Sequence, residues 1–312
     1  MGEFDLIERY FKRPARRAVL GVGDDCALLQ PAAGMQLAIS SDMLVEGRHF
    51  FPDVDPAALG HKALAVNLSD LAACGATPLA FTLALALPRV DEAWLAGFSA
   101  GLLALADAHG CELVGGDTTQ GPLNICITVF GEVPRGQALL RSGAHVGDDI
   151  YVSGTLGDAR LALEVLHGKL HLPPDEMARA RTRLERPEPR VALGQALRGI
   201  ASSAIDISDG LAGDLGHILK ASGVGAALNT DAALGLMASG NRQLEYVLSG
   251  GDDYELSFTA ALSARQAVEA AAAQAGTPVT RIGRIEQQPG LRLADTQGRP
   301  VAGTFRSFDH FA

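Results

Sequence analysis

Short apolar runs bounded by turn residues alternate along the chain with longer stretches in which alanine and leucine recur at helical spacing. In the first half, the apolar runs predict buried strands at residues 36–40, 80–86 and 124–130. The helical spacing predicts helices at residues 56–74 and 91–109. Gly75 and Gly110 follow these two helices, as helix C-termini prefer. The alternation predicts an α/β fold.

The second half continues this mixed order. Helices are predicted at residues 157–170, 175–186, 190–197, 210–221 and 263–276. Strands are predicted within residues 147–154 and at 203–208, 254–259 and 291–294. With 312 residues, the chain exceeds the usual size of one hydrophobic core. We therefore expect two domains, at residues 1–140 and 141–312.

Composition narrows the range of partners. The chain has 36 acidic and 26 basic residues, a formal net charge of -10, which argues against nucleic acid or an anionic membrane as the main partner. The acidic start does not resemble a signal peptide, and no apolar run approaches the ~20 residues of a membrane span. We expect a cytoplasmic protein. Four widely spaced cysteines without a C-x-x-C pair are interpreted as reduced thiols in or near the core, Cys26 included.

Familiar catalytic signatures are missing from the sequence. It contains no G-x-x-x-x-G-K-[ST] loop, no G-x-G-x-x-G opening a helix, no H-E-x-x-H and no G-x-S-x-G. Common nucleotide-binding folds, zinc proteases and serine hydrolases are therefore disfavoured.

Gly-Asp pairs are the most prominent polar feature instead. Glycine and aspartate both form turns, and aspartate caps helices, so a single pair is more often structural than functional. The pairs at Asp148, Asp158 and Asp214 are interpreted as such turns.

Other aspartates lie at or just beyond apolar, strand-like runs, where α/β folds bind ligands. Together with one aspartate from a helix-like stretch, they are Asp25, Asp42, Asp70, Asp117 and Asp206. If they converge, two carboxylates ~5 Å apart repel by roughly 3 kcal/mol at an effective dielectric of ~20, so divalent cations are required. Oxygen ligands without histidine or thiolate favour Mg²⁺, and Mg²⁺ in turn implies a phosphate-bearing substrate.

Three weaker signals accompany the aspartates. Glycines at 21, 23, 115 and 116 would let backbone N–H groups approach phosphate oxygens. Arg141 lies in a loop context where it could clamp a phosphate, although a solvated arginine is the alternative. His49 follows the Ser-Ser-Asp turn closely, and an isolated histidine is more often structural.

Six motifs in fixed order carry a family resemblance. They are Gly-Val-Gly-Asp-Asp-Cys-Ala-Leu-Leu from residue 21, Ile-Ser-Ser-Asp from 39, Lys-Ala-Leu-Ala-Val-Asn-Leu-Ser-Asp from 62, Gly-Gly-Asp-Thr-Thr from 115, Ile-Asp-Ile-Ser-Asp-Gly-Leu from 205 and Ser-Gly-Gly-Asp-Asp-Tyr-Glu-Leu from 249. Together they resemble the bacterial thiamine-monophosphate kinases, over essentially the whole chain.

The resemblance implies a two-domain fold of the aminoimidazole ribonucleotide synthetase type, α/β in class, with an N-terminal domain that dimerises through its sheet. It implies transfer of phosphate from ATP to thiamine monophosphate. The residues it implies as Mg²⁺ ligands are Asp25, Ser40, Ser41, Asp42, Asp70, Asp117, Asp206 and Asp209. Those implied for ATP are Gly116, Asp117, Arg141 and Ser208, and those for thiamine monophosphate are His49, Asp252 and Phe308.

Two positions depart from the family pattern. Asp252 stands where the family pattern has glutamate, one methylene longer, and Phe308 offers an aromatic ring without a polar atom. Two other functions stay open: another ATP-using synthetase or maturation protein of the same superfamily, such as a selenophosphate or aminoimidazole ribonucleotide synthetase, or a nucleotide-binding module without turnover.

Overall fold

A computed structural model describes residues 2–23, 25–240, 242–303, 305 and 307. The chain divides into two compact units. The N-terminal unit comprises the residues up to 71 together with 76–136, and the C-terminal unit comprises 72–75 together with the residues from 137 onward. Each has its own sheet.

The N-terminal unit contains a four-stranded sheet. Its strands are β1 (Met35–Val45), β2 (Thr77–Leu87), β3 (Glu112–Gln120) and β4 (Asn124–Pro134), and its helices are α1 (Glu3–Tyr10), α2 (Pro56–Ala73) and α3 (Glu92–His109). The strand order is β1-β4-β2-β3, in which β2 and β3 are parallel and the other two pairs are antiparallel. Strand β1 is therefore an edge strand: in the described part of the chain, it pairs with β4 on one side only.

Helices α2 and α3 approach each other at glycine. A Cβ on Gly60 would lie 2.1 Å from the carbonyl oxygen of Phe98, and one on Gly101 would lie 1.9 Å from that of Ala57. Asp91 caps α3 by accepting the N–H of Trp94 at 3.1 Å, and Gly110 ends the helix at φ 59°. The predicted helix limits thus follow from caps that are visible in the sequence.

The C-terminal unit contains a six-stranded mixed sheet of order β10-β7-β9-β5-β8-β6. Its strands are β5 (Asp149–Ser153), β6 (Ser203–Ile207), β7 (Gly225–Asn229), β8 (Glu255–Ala260), β9 (Val279–Glu286) and β10 (Gly290–Ala294). Its helices are α4 (Asp158–Leu166), α5 (Pro174–Glu185), α6 (Val191–Ala196), α7 (Leu211–Ser222), α8 (Thr230–Leu234), α9 (Leu244–Ser249) and α10 (Arg265–Ala275). Every residue of β5, β6 and β8 is buried, so this sheet is covered on both faces from its centre to the edge formed by β6.

Several sequence-based boundaries need correction. Strand β1 runs to Val45 and β3 to Gln120, so Asp42 and Asp117 lie inside strands rather than beyond their ends. The apolar pattern missed β7 and β9 altogether. Cys26 is exposed, contrary to its assignment as a core thiol. Within the described ranges, no helix combines the length and apolar character that crossing a membrane requires.

Candidate active site

In the N-terminal unit, one face of β1 brings two of the predicted ligands to helix α2. Ser40 and Asp42 share this face because side chains alternate along a strand. The hydroxyl of Ser40 donates to Asp70 Oδ2 of α2 at 2.5 Å. The buried Asn67, one helical turn earlier, accepts the backbone N–H of Asp42 through Oδ1 at 3.1 Å. Strand β1 and helix α2 are thereby fixed to each other at the sequence Ser40-Ser41-Asp42.

Ser41 points to the opposite face. Its hydroxyl contacts the carbonyl oxygen of Ile127 at 3.1 Å and the hydroxyl of Thr128 at 3.0 Å, both on β4. The side chain of Ser41 is therefore not brought together with those of Ser40 and Asp42.

Asp117 also lies away from that pair. Strand register aligns Asp42 with Ile127 and Ile127 with Leu83, whereas Asp117 pairs with the next residue, Ala84. Asp117 thus belongs to the opposite face of the sheet, and three strand spacings of ~4.8 Å separate β1 from β3 by about 14 Å. Convergence of these aspartates was an expectation from sequence, and the sheet does not produce it within this unit.

Gly116 shows why glycine precedes Asp117. Its φ is 144°, and a Cβ at this position would lie 1.9 Å from the carbonyl oxygen of Leu83 on the neighbouring strand. The close approach of the two backbones is sufficient to require glycine at this position.

Asp25 and His49 occupy loops of the same unit. Asp25 is exposed. The Nδ1 atom of His49 accepts the backbone N–H of Val45 at 3.0 Å, so a neutral imidazole carries its proton on Nε2. Among the residues that the structure describes, no group of three or more His, Cys, Asp or Glu side chains is arranged to hold a metal ion.

In the C-terminal unit, the predicted residues gather where β6 turns into α7. Asp206 is buried on β6, and Ser208 and Asp209 form the turn that follows. One oxygen of Asp214, on the first turn of α7, accepts the backbone N–H groups of both Ser208 and Asp209 at 3.1 Å. Asp214 therefore shapes the turn that presents them.

Asp214 carries unusual electrostatics for a residue that sequence reasoning assigned to an ordinary turn. Burial raises its pKa to about 7; the backbone N–H of Asp209 opposes that rise, while the negative charge of Asp209 adds to it. The positive charge of Arg141 lowers the pKa of Asp214, which places this exposed arginine near the turn. No sequence signal beyond its spacing from Asp209 distinguished Asp214 from a cap.

Removing the carboxyl group should expose this role. We expect Asp214→Ala to lower the free energy of unfolding by about 2 kcal/mol, because two partly buried backbone N–H donors lose their acceptor. Urea unfolding measures the change. Asp214→Asn is the matched control: it keeps an acceptor oxygen without a charge to desolvate and should retain wild-type stability. Equal urea midpoints for the alanine variant and the wild type would contradict this role.

The Gly-Gly-Asp-Asp segment packs directly on the same turn. Asp252 donates its backbone N–H to the carbonyl oxygen of Ser208 at 2.9 Å, and the hydroxyl of Tyr254 lies 3.3 Å from Asp252 Oδ1. A Cβ on Gly251 would lie 2.5 Å from that carbonyl oxygen of Ser208. Asp252 is thus held beside Ser208 and Asp209 within this unit. Phe308, predicted to contact substrate, lies outside the described residues.

The assembled groups define the chemistry that each unit can support. Carboxylate and hydroxyl oxygens dominate both, from Ser40, Asp42 and Asp70 in one and Asp206 and Asp209 in the other. This donor set suits a hard divalent cation such as Mg²⁺ rather than zinc or copper.

The chain is similar to known proteins in both sequence and structure. The family model "AIR synthase related protein, N-terminal domain" matches residues 23–133, and the corresponding C-terminal domain model matches residues 145–296. The thiamine-monophosphate kinase of Salmonella typhimurium is 49% identical over 321 residues, which cover 100% of this chain and 98% of that protein.

Two solved structures agree with these matches. The crystal structure of thiamine-monophosphate kinase from Stenotrophomonas maltophilia K279a is 45% identical, with a TM-score of 0.84 and 96% of each chain covered. AaThiL, complexed with AMPPCP and TMP, is 30% identical, with a TM-score of 0.78 and coverage of 90% of this chain and 89% of that one. The predicted two-domain, aminoimidazole ribonucleotide synthetase-like fold is confirmed.

Proposed function

This chain belongs to the AIR synthase related family and, within it, to the thiamine-monophosphate kinases, and from this premise we propose that it phosphorylates thiamine monophosphate directly from ATP. The observation that carries the proposal is the 49% identity with such a kinase along the full length of both chains. A relative bound to an ATP analogue and TMP supports the two substrates. The products would be thiamine diphosphate and ADP.

The transfer needs no strong base. An oxygen of the acceptor phosphate, already ionised at neutral pH, attacks the γ-phosphorus of ATP. The bond from that phosphorus to the β–γ bridging oxygen breaks, and its electron pair leaves with ADP. The difficulty lies in bringing two polyanions together in line, so positioning and charge neutralisation dominate the catalysis.

Mg²⁺ fits the oxygen donors described above, and when bound it would neutralise phosphate charge. We propose that several Mg²⁺ ions are held by Asp25, Ser40, Ser41, Asp42, Asp70, Asp117, Asp206 and Asp209; Asp117 lies on the sheet face opposite Asp42, so these two would not share one ion. Among these, the side chains of Ser40 and Asp70 are joined by a hydrogen bond, and the backbone N–H of Asp209 is bound by the carboxylate of Asp214. Because Ser41 points to the opposite face of β1 and contacts β4, it would bind a different Mg²⁺ ion from Ser40 and Asp42.

Contacts to the two substrates are proposed residue by residue. Gly116, Asp117, Arg141 and Ser208 would contact ATP, and His49, Asp252 and Phe308 would contact thiamine monophosphate. The Nδ1 atom of His49 accepts the backbone N–H of Val45, so a neutral imidazole carries its proton on Nε2, the atom type that can donate to a phosphate oxygen. We place the reaction in the cytoplasm, where ATP is available, without nucleic acid as a partner.

Product analysis tests the function. The purified protein is incubated with ATP and Mg²⁺ and with thiamine monophosphate, thiamine or no acceptor, and products are separated chromatographically. We expect ADP and thiamine diphosphate only with the monophosphate. ATP bound without turnover would instead identify a nucleotide-binding module. A radiolabelled phosphoprotein formed from ATP alone would refute direct transfer.

We also propose that two copies associate through the N-terminal sheet, on the face of β1 opposite Ser40 and Asp42. Leu37, Ile39 and Met43 lie on this face of β1 and are 45%, 61% and 52% exposed. An apolar strip along an edge strand is a surface that an isolated subunit leaves in contact with water at a cost. The family resemblance supplies the same expectation of a homodimer.

A charge on that strip tests the dimer. We expect Ile39→Asp to shift the protein from dimer to monomer at micromolar concentration, because association would bury an unpaired carboxylate. Light scattering coupled to size-exclusion chromatography measures the mass. Val90→Asp is the control, since Val90 is comparably exposed at 48% but lies between β2 and α3. Dimer mass retained by Ile39→Asp would remove this face as the interface.

A further inference from the structure

The segment that carries Asp252 has a strained backbone. Asp252 and Tyr254 have φ values of 66° and 52°, and they are the only non-glycine residues with positive φ in the part of the chain that the structure describes. Residues other than glycine rarely adopt this conformation, because it strains the backbone. A strained segment of this kind persists only where its surroundings fix it from several sides.

One side is fixed by the β6–α7 turn. The N–H of Asp252 bonds to the carbonyl oxygen of Ser208 at 2.9 Å, and the N–H of Tyr254 bonds to that of Ile207 at 2.8 Å. Between them, the carboxylate of Asp253 accepts the N–H of Gly157 through both oxygens, at 3.0 and 3.1 Å. The segment is thus fastened at three consecutive residues.

The other side is fixed by Glu255, which is completely buried at the start of β8. Its carboxylate forms two bonds of 2.7 Å with the guanidinium of Arg190, one from Nε and one from Nη2. It also accepts Nη2 of Arg183 at 2.7 Å and the hydroxyl of Ser153 at 2.6 Å. Four donors therefore hold one carboxylate in a single orientation.

Arg183 links this carboxylate to the strained segment itself. The same Nη2 atom lies 3.3 Å from the carbonyl oxygen of Asp253 and 3.4 Å from that of Thr155. Its buried Nε has no hydrogen-bond partner among the described residues. An unpaired buried donor lowers the stability of the fold. The position of Arg183 therefore satisfies the contacts of Nη2 at the expense of a hydrogen bond from Nε.

Stability alone does not account for the arrangement. A buried ion pair repays its desolvation poorly, and apolar residues of similar volume often stabilise a protein equally well. What the ions add is a rigid, directional attachment for the residues between Gly251 and Glu255.

We propose that Glu255, Arg183 and Arg190 are positioning residues that hold Asp252 against Ser208 in the geometry the acceptor requires. This inference rests on the proposed kinase function, in which Asp252 contacts thiamine monophosphate and Ser208 contacts ATP. The three residues touch neither substrate in it; they act through the backbone of Asp252, Asp253 and Tyr254.

Steady-state kinetics of Glu255→Gln, Arg183→Met and Arg183→Lys test the proposal. We expect the first two to raise the KM for thiamine monophosphate about tenfold and to lower kcat, with a smaller change in the KM for ATP. Arg183→Lys keeps a charged donor and should recover part of the loss. Thermal unfolding of each variant confirms that the assayed protein is folded.

Asp149→Asn is the matched control. Asp149 is a buried carboxylate on β5, 1% exposed, bonded to Nε of Arg265 at 2.6 Å and Nη2 at 3.1 Å. It pairs in register with Ala260, at the end of β8 opposite Glu255. Its loss should lower the melting temperature while leaving both KM values within twofold.

Three outcomes would count against the positioning role of Glu255 and Arg183 or against the function on which it rests. Unchanged KM values in folded Glu255→Gln and Arg183→Met would overturn the proposal, as would equal kinetic losses in Asp149→Asn. If Glu255→Gln fails to fold, the partly exposed Arg183 provides the deciding pair of variants. A wild-type protein without thiamine monophosphate-dependent ADP release would refute the proposed function itself, which the wild-type arm reports separately.

Discussion

Asp42→Asn is expected to lower kcat by about 10²-fold, or roughly 2.7 kcal/mol of transition-state stabilisation. The change removes one negative charge from the face of β1 that meets α2 and leaves the size of the side chain unaltered. The backbone N–H of Asp42 keeps its bond to Asn67, so the strand should stay in place. The loss would therefore report on metal binding rather than on folding.

Titration with Mg²⁺ sharpens this test. A weakened metal site should require more Mg²⁺ for half-maximal turnover, so the deficit should be largest at limiting metal and shrink as Mg²⁺ is raised. Asp107→Asn is the control, because it makes the same chemical change at an exposed aspartate of α3 that pairs with Arg13. We expect it to stay within twofold of the wild type. Unchanged turnover of Asp42→Asn at limiting Mg²⁺ would exclude Asp42 as a ligand.

Gly251→Ala is expected to lower kcat/KM for thiamine monophosphate by 10²-fold or more. The added Cβ would lie 2.5 Å from the backbone oxygen of Ser208, well inside ordinary contact distance, and neither backbone can rotate away as a flexible side chain would. Asp252 must then move relative to Ser208, and a displacement of ~1 Å costs on the order of 10²-fold in rate.

Gly216→Ala provides the comparison in the same unit. Gly216 lies within α7, its added Cβ would meet nothing within 4 Å, and alanine is the better helix former. This variant should gain about 0.5–1 kcal/mol of stability and keep its activity. Assays of kcat/KM and urea unfolding on both variants separate a crowded glycine from a free one. Wild-type kinetics in Gly251→Ala would show that the turn accommodates a side chain.

The backbone conformation explains why aspartate can occupy position 252. The family resemblance predicts glutamate at this position, and aspartate reaches one methylene less far toward thiamine monophosphate. At φ 66°, however, aspartate is among the few non-glycine residues that tolerate the left-handed region, because its short polar side chain can bond locally. The bond between Tyr254 and Asp252 is a contact of this local kind.

Local physics made much of the fold predictable. Helices α2 and α3 could be delimited from spacing and from the glycines that follow them, since caps and periodicity act over one or two turns. Strand β9 escaped detection because its inward and outward positions alternate irregularly, with two partly buried residues in succession at its start.

The sequence by itself determined the α/β class, the family motifs and the kind of ligand that their oxygen donors favour, because these depend on residue type and short-range order. Only the tertiary structure decided which donors meet. Register put Asp117 on the face opposite Asp42, a cap from Asp214 fixed Asp209, and a buried network around Glu255 fixed the strained segment of Asp252. The contact between Asp214 and Asp209 is local, but it forms only because β6 and α7 bring the turn into place. The other two contacts join residues far apart in the chain, whose pairing follows from how strands align and pack, and no local pattern encodes that alignment.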